Sequence, residues 1–158
     1  MKYVFDNNTL SSIFKYYYYD NFPSFWDKFN PLVSAKEIIS VKEVQRELKR
    51  IPPLWKKIKT WSDKYPSFFS KPTNDELSFI TQIYSVPHFQ QNISERSRLM
   101  GQPVADPFVI AKAKVNDAIV ITQETFKSKA TRIPNICKHF NIQCDDLNGF
   151  LNRENWKF

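Results

Sequence analysis

Met1-Lys2-Tyr3-Val4-Phe5-Asp6-Asn7-Asn8-Thr9-Leu10 is the segment around which the remaining chain is arranged. Tyr3-Val4-Phe5 is apolar and too short for a helix, so it reads as a buried strand. Asp6-Asn7-Asn8-Thr9 follows at once, giving a strand that ends on a carboxylate and turns into a helix. In an open α/β sheet, ligands bind outside the carboxyl ends of the strands. Asp6 therefore falls where a site forms. Asn8 or Thr9 offers a side-chain oxygen to cap the helix. The plainer alternative makes Asp6 a turn residue only, since turns favour Asp. What separates the two readings is whether other carboxylates converge on Asp6.

Working outward, Glu37-Ile38-Ile39-Ser40-Val41 is rich in β-branched residues and reads as a second strand. Lys42 to Arg50 follows as a helix with Val44 and Leu48 inward. Glu43 and Glu47, four residues apart, lie near one face, and either reaches toward the strand edge. Pro52-Pro53 ends that helix. Ala118-Ile119-Val120-Ile121-Thr122 is the clearest strand, and it runs into Gln123-Glu124, repeating the pattern of Phe5-Asp6. Just before it, Asp106 is placed as N-cap and Pro107 as first residue of a helix running to about Val115. A capping role accounts for Asp106, and so does a metal-holding one. Ile142-Gln143-Cys144 reads as a further short strand, with a final helix over Asp145 to Glu154. Strands alternating with helices predict an α/β fold with a parallel sheet covered on both sides.

The intervening segments carry the aromatic and basic residues. Lys15-Tyr16-Tyr17-Tyr18-Tyr19-Asp20 either stacks bases beside a phosphate-binding lysine or wedges helices together. Phe22, Phe25, Trp26 and Phe29 recur at helical spacing, with Pro23 suited to a first turn, and read as a core-facing helix. Leu54 to Tyr65 is an amphipathic helix with Trp55, Ile58 and Trp61 inward and Lys56, Lys57, Lys59 and Lys64 outward. That basic face is either simply solvated or a phosphate contact. Ser67 to Asn74 reads as a loop, and Thr73-Asn74-Asp75-Glu76 as a capping box, which gives Asp75 and Glu76 structural roles. Val86 to Asn92 reads as a loop, Ile93 to Met100 as a short helix, and Ile133 to Cys137 as a helix start.

A length of 158 residues suits a single domain over 1–158. The formal net charge of +7 favours an anionic partner such as nucleic acid, an acidic protein or a membrane surface. Asp6, Asn7 and Asn8 interrupt the N-terminus where a signal peptide needs an apolar core, and no apolar run is long enough to span a membrane. A cytoplasmic protein without a membrane partner is the simplest expectation. Cys137 and Cys144 form no metal set or disulfide framework, and His88 and His139 are too few for a histidine-based metal site.

Asp6, Glu47, Asp106 and Glu124 come from four distant parts of the chain, yet each falls at or near one edge of the expected sheet. Carboxylates packed together repel unless a cation neutralises them, and oxygen ligands suit Mg²⁺ or Mn²⁺. An acidic metal site on a basic protein suits phosphodiester cleavage: the metal activates water and polarises phosphate, while surface lysines hold the backbone.

These residues also carry a family resemblance. Val4-Phe5-Asp6-Asn7-Asn8 resembles the opening strand and D-x-N motif of PIN-domain proteins. Val44-Gln45-Arg46-Glu47-Leu48 is similar to their glutamate-bearing helix, and Ala105-Asp106-Pro107-Phe108-Val109-Ile110-Ala111-Lys112-Ala113 to their D-x-x-I-A-x-A helix. Val120-Ile121-Thr122-Gln123-Glu124 is similar to their strand ending in T-x-D, with Glu124 in place of the usual Asp. Phe22-Pro23-Ser24-Phe25-Trp26 and Arg132-Ile133-Pro134-Asn135-Ile136-Cys137 resemble a poorly characterised PIN-like branch.

The resemblance implies a three-layer sandwich around a parallel sheet of about five strands. It implies a Mg²⁺-dependent endoribonuclease, the toxin of a toxin–antitoxin pair, with Asp6, Glu47 and Asp106 as metal-binding core and Glu124 as a fourth catalytic member. Asn8 would orient Asp6, and Thr122 would bind water or phosphate. Hydrolysis would leave a 5′-phosphate and a 3′-hydroxyl. RNA is then the substrate, contacted by Lys56, Lys57 and Lys59, and a cognate antitoxin the protein partner, with homodimerisation open. Two other readings stand beside it: a PIN-like module that binds RNA or protein without cutting, and a DNA nuclease of related fold. No motif reports on the 2′-hydroxyl that separates RNA from DNA.

Overall fold

The computed structural model describes residues 1–158. Five parallel strands, β1 (Tyr3–Phe5), β2 (Ile38–Val41), β3 (Phe69–Ser70), β4 (Ile119–Ile121) and β5 (Cys144–Asp145), pair in the order β3-β2-β1-β4-β5. Nine helices connect and cover them: α1 (Asn7–Tyr16), α2 (Pro23–Ser34), α3 (Lys42–Lys49), α4 (Pro52–Lys64), α5 (Asn74–Tyr84), α6 (Pro87–Met100), α7 (Asp106–Asn116), α8 (Ile133–His139) and α9 (Leu147–Arg153). The expected α/β three-layer sandwich is present.

The central strand explains why Tyr3-Val4-Phe5 shows no alternation of polarity. All three residues are buried, because helices cover both faces of a parallel sheet. Successive side chains point to opposite faces. Tyr3 and Phe5 meet Phe150 of α9 edge-on, at centroid distances of 4.8 and 5.1 Å, and Phe5 also meets Phe29 of α2 at 5.8 Å. Val4 faces the other layer, where α7 packs on β1, β2 and β4 and is backed by α5. Beyond the sheet, Phe14, Trp26 and Trp61 join α1, α2 and α4, with ring centroids 5.1–5.2 Å apart around Phe14. Both indole N–H groups find acceptors: Trp26 donates to the Tyr17 carbonyl and Trp61 to Asn30, at 3.0 and 2.9 Å.

Several expected boundaries are corrected. The Ser67 to Asn74 loop contains an edge strand, β3, whose two residues are too few to show a period. Val86 to Asn92 is helical: α6 starts with Pro87 in its first turn and ends at Gly101, whose φ of 68° is the left-handed value that glycine adopts freely. Pro52-Pro53 ends α3 and also opens α4. The last strand lies at Cys144–Asp145 rather than Ile142 to Cys144, and the final helix begins at Leu147, capped by the Asp146 carboxylate on Gly149 N–H at 2.8 Å. Neither Asn8 nor Thr9 caps α1. The helix starts at Asn7 with Asp6 as its N-cap residue, and no side chain makes the capping bond. Asp106 is likewise the first helical residue of α7 rather than its cap, which is Ala105. The capping box at Thr73 and Glu76 is present in both directions, at 3.2 and 3.4 Å.

Candidate functional site

The strand order sets the place of the site. From β1 the chain moves outward to β2 and β3, then returns across the sheet to β4 on the opposite side of β1. The carboxyl ends of β1 and β4 thus flank the topological switch point, where neighbouring connections diverge and leave a crevice. Asp6 leaves β1 there, and Thr122 to Glu124 leave β4. α7 leads into β4 from the opposite direction, so its N-terminus and Asp106 lie at the same edge. α3, which follows β2, adds Glu47.

Asp6 is 2% exposed and Asp106 6% exposed. One oxygen of Asp6, Oδ2, accepts the Thr122 hydroxyl at 3.1 Å, while Oδ1 is buried without a hydrogen-bond partner. Burial pushes Asp6 well above the usual carboxylate range. The charge on Asp106 adds to this, the Asn7 backbone N–H opposes it, and Glu124 and Glu47 raise it further. Asp106 is also raised by burial, against the pull of Arg96, whose Nη1 lies 2.9 Å from Oδ2. Arg96 holds the Thr131 carbonyl with its other nitrogen at 3.3 Å.

Glu47 and Glu124 are half-buried and also raised, first by burial, with repulsion from Asp106 acting on both. Each also has structural work. Glu47 accepts the Ala105 N–H at 3.0 Å and the Asn7 side-chain amide, and so ties α3 to the start of α7 and to α1. Glu124 accepts the Ile133 N–H at 2.8 Å and so closes the N-terminus of α8. Asp6 senses the other three carboxylates, Glu47 and Glu124 each sense Asp106, and the four come from different parts of the chain.

Asn8 lies one bond further from Asp6 than expected. Its Oδ1 accepts the Gln123 N–H at 3.0 Å and the Thr122 hydroxyl at 3.3 Å. Thr122 is the residue that touches Asp6, and Asn8 fixes the turn after β4. Thr9 supports the same junction by donating to the Ile121 carbonyl at 3.0 Å. Lys56, Lys57 and Lys59 lie exposed on α4, outside the carboxylate cluster. Arg96 is the site residue that sequence reasoning missed. Pro87, placed like Pro23 and Pro107, signals the start of its helix, but nothing in the sequence marks Arg96 itself.

The donor set is chemically right for a hard cation. It consists of oxygens only, the carboxylates repel one another, and Asp6 Oδ1 lacks a partner. No three Asp, Glu, His or Cys side chains stand close enough to clasp a metal together. Mg²⁺ commonly needs only one or two carboxylates, with water and substrate phosphate completing its octahedron. Asp6 and Asp106 fit that demand, with Glu47 and Glu124 beside them.

A family model described as "Domain of unknown function (DUF4411)" matches residues 3–158. No curated protein matches the sequence. The crystal structure of VapBC2 from Rickettsia felis, bound to a DNA fragment from its promoter, superposes with a TM-score of 0.53 at 12% identity, covering 92% of this chain and 98% of that one. At that identity the likeness is one of fold, and the fold is PIN-like.

Proposed function

The chain belongs to the DUF4411 family, and we propose that it is a Mg²⁺- or Mn²⁺-dependent endoribonuclease, the toxin of a toxin–antitoxin pair. The observation that carries this reading is the pair Asp6 and Asp106. Both are buried at the switch point, both are raised by burial, and one oxygen of Asp6 is left without a partner. A fold keeps such groups together at a cost, because buried like charges disfavour ionisation. A divalent cation offsets that cost.

In this reading Asp6 and Asp106 hold the ion, Thr122 fixes Asp6, and Glu47 and Glu124 keep the edge negative while anchoring α7 and α8. A bound Mg²⁺ would supply charge for the scissile phosphate and lower the pKa of the attacking water. Arg96 shares Asp106 with the ion and stands close enough to the site to meet a phosphate oxygen. The lysines of α4, including Lys56, Lys57 and Lys59, add to the positive field that draws RNA in. An antitoxin is proposed on two grounds: the PIN-like motifs, and the likeness of fold to a chain of the VapBC2 complex.

A second reading, a binding module that does not cut, draws on the absence of three clustered ligands and on the Arg96 contact that already neutralises part of Asp106. One experiment separates the two. A mixed RNA pool is incubated with Mg²⁺, with Mn²⁺ and with chelator, using the parent, Asp6→Asn, Asp106→Asn and the exposed first-turn control Asp75→Asn. The nuclease reading requires cleavage by the parent and by Asp75→Asn only with metal. Rates for the two site variants should fall at least a hundredfold, roughly the loss of a few kcal/mol of transition-state stabilisation. Equal cleavage by Asp6→Asn, or none by the parent, overturns the nuclease reading in favour of the binding module.

A further inference from the structure

The tyrosine run and the basic helix, which are separate in sequence, form one pocket. Tyr17 and Tyr19 are committed to the fold: Tyr17 stacks on Phe25 at 4.4 Å, and Tyr19 leans on Trp26 at 4.8 Å while its hydroxyl accepts from Asn30 at 3.1 Å. Tyr18 is different. It is 53% exposed, and the Lys57 ammonium lies 5.8 Å from its ring centroid. The Lys64 ammonium lies at the same distance from Tyr19. Between these groups is a cavity of 340 Å³, floored by Phe14 and Trp61 and edged by Asp20, Asn21 and Thr60.

We propose that this pocket between the end of α1 and α4 binds an unpaired nucleotide of single-stranded RNA, its base against Tyr18 and its phosphate near Lys57 and Lys64. An aromatic face gives any base a stacking surface, and lysines beside it neutralise the backbone. The amide of Asn21, the carboxylate of Asp20 and the hydroxyl of Thr60 supply donors and acceptors for a base edge. The volume is at the low end of small-molecule sites, which suits one nucleotide. The pocket also stands in a fixed relation to the carboxylates. α1 begins beside Asp6 and ends at Tyr16, so its ten residues set the two apart by about 15 Å, at ~1.5 Å per residue. A strand a few nucleotides long spans that distance. Between the two ends, Asn8, Ser12 and Lys15 of α1 face Glu47 and Ile51 across a second groove. This inference takes RNA from the proposed function and assigns the subsite that positions it.

The test measures binding without cleavage. A fluorescein-labelled single-stranded RNA decamer is titrated with the full chain in chelator, alongside the DNA decamer of the same sequence and the RNA duplex. Tyr18→Ala should weaken single-strand RNA binding about tenfold and leave the salt slope unchanged, while Tyr18→Phe retains parental affinity. Lys57→Ala should reduce the salt slope by about one. Duplex binding should not respond to Tyr18. Tyr18→Ala should melt with the parent, since its ring is exposed. Equal affinity of Tyr18→Ala and parent, DNA binding without RNA binding, or no single-strand binding by the parent overturns the proposal. Loss of cleavage in Asp6→Asn has no bearing on this result, so the subsite and the nuclease reading fail separately.

Discussion

The buried carboxylates Asp6, Asp106 and Glu43 are of two kinds. Asp6 and Asp106 face other acids at the open edge of the sheet, whereas Glu43 is buried among structural groups. Glu43 is 5% exposed, its Oε1 is 3.5 Å from an exposed Arg46, and its Oε2 has no partner. Burial raises its pKa, Arg46 and Lys112 oppose the shift, and Glu76 adds to it. The folded state therefore holds the Glu43 proton more tightly than the unfolded chain, and stability falls as pH rises from about 4.3 through the raised value. Glu43→Gln should melt like the parent near pH 4 and above it at pH 8, by ~2–4 °C for a gain of about 1 kcal/mol. A constant difference across the pH range, read by thermal melts in chelator, would contradict the assignment. At this scale the sequence marked Asp6 through its strand-then-carboxylate pattern. It did not show that Thr122, rather than Asn8, would touch Asp6, because that bond depends on how β1 and β4 end side by side.

Elements were legible where their period or punctuation was strong. The apolar runs of β1, β2 and β4 and the Pro-led starts of α2 and α7 are of this kind. β3 and β5 have two residues each and are strands only because a neighbour pairs with them. The first turns of α6 were lost to His88, Gln90, Gln91 and Asn92, polar residues that a half-exposed helix accommodates. That helix matters because it delivers Arg96 to Asp106. Arg96→Ala leaves a buried carboxylate without its cation, so in chelator the variant should melt below the parent. The side chain of Arg96 is 39% exposed, so solvent screening limits the loss to about 1–2 kcal/mol. Saturating Mg²⁺ should recover more melting temperature in Arg96→Ala than in the parent. Equal recovery would mean that Arg96 and the metal do not share Asp106.

The molecule as a whole places an acidic crevice on a chain of net charge +7. None of its helices is long and apolar enough to cross a membrane. Alternation of strands and helices made the layered fold readable, and the order β3-β2-β1-β4-β5 turned two strand-end carboxylates into neighbours. The proposed nuclease would need restraint in the cell that makes it, and the proposed antitoxin would reach the crevice with a cationic side chain. Expression of the chain alone should arrest growth. Co-expression with the product of an adjacent short reading frame should restore growth and co-purify that product. Harmless expression of a chain that purifies alone would remove the toxin role.

Asp6 and Asp106 are proposed to hold a divalent cation, and Mn²⁺ titration followed by electron paramagnetic resonance tests this without reference to any substrate. Bound Mn²⁺ loses the sharp signal of the hydrated ion. Saturable loss of signal is expected with the parent and with Asp75→Asn, reversed by Mg²⁺, and no such loss with Asp6→Asn or Asp106→Asn, although Asn preserves the shape of both side chains. An undiminished signal with the parent, or equal loss with Asp6→Asn, would contradict it.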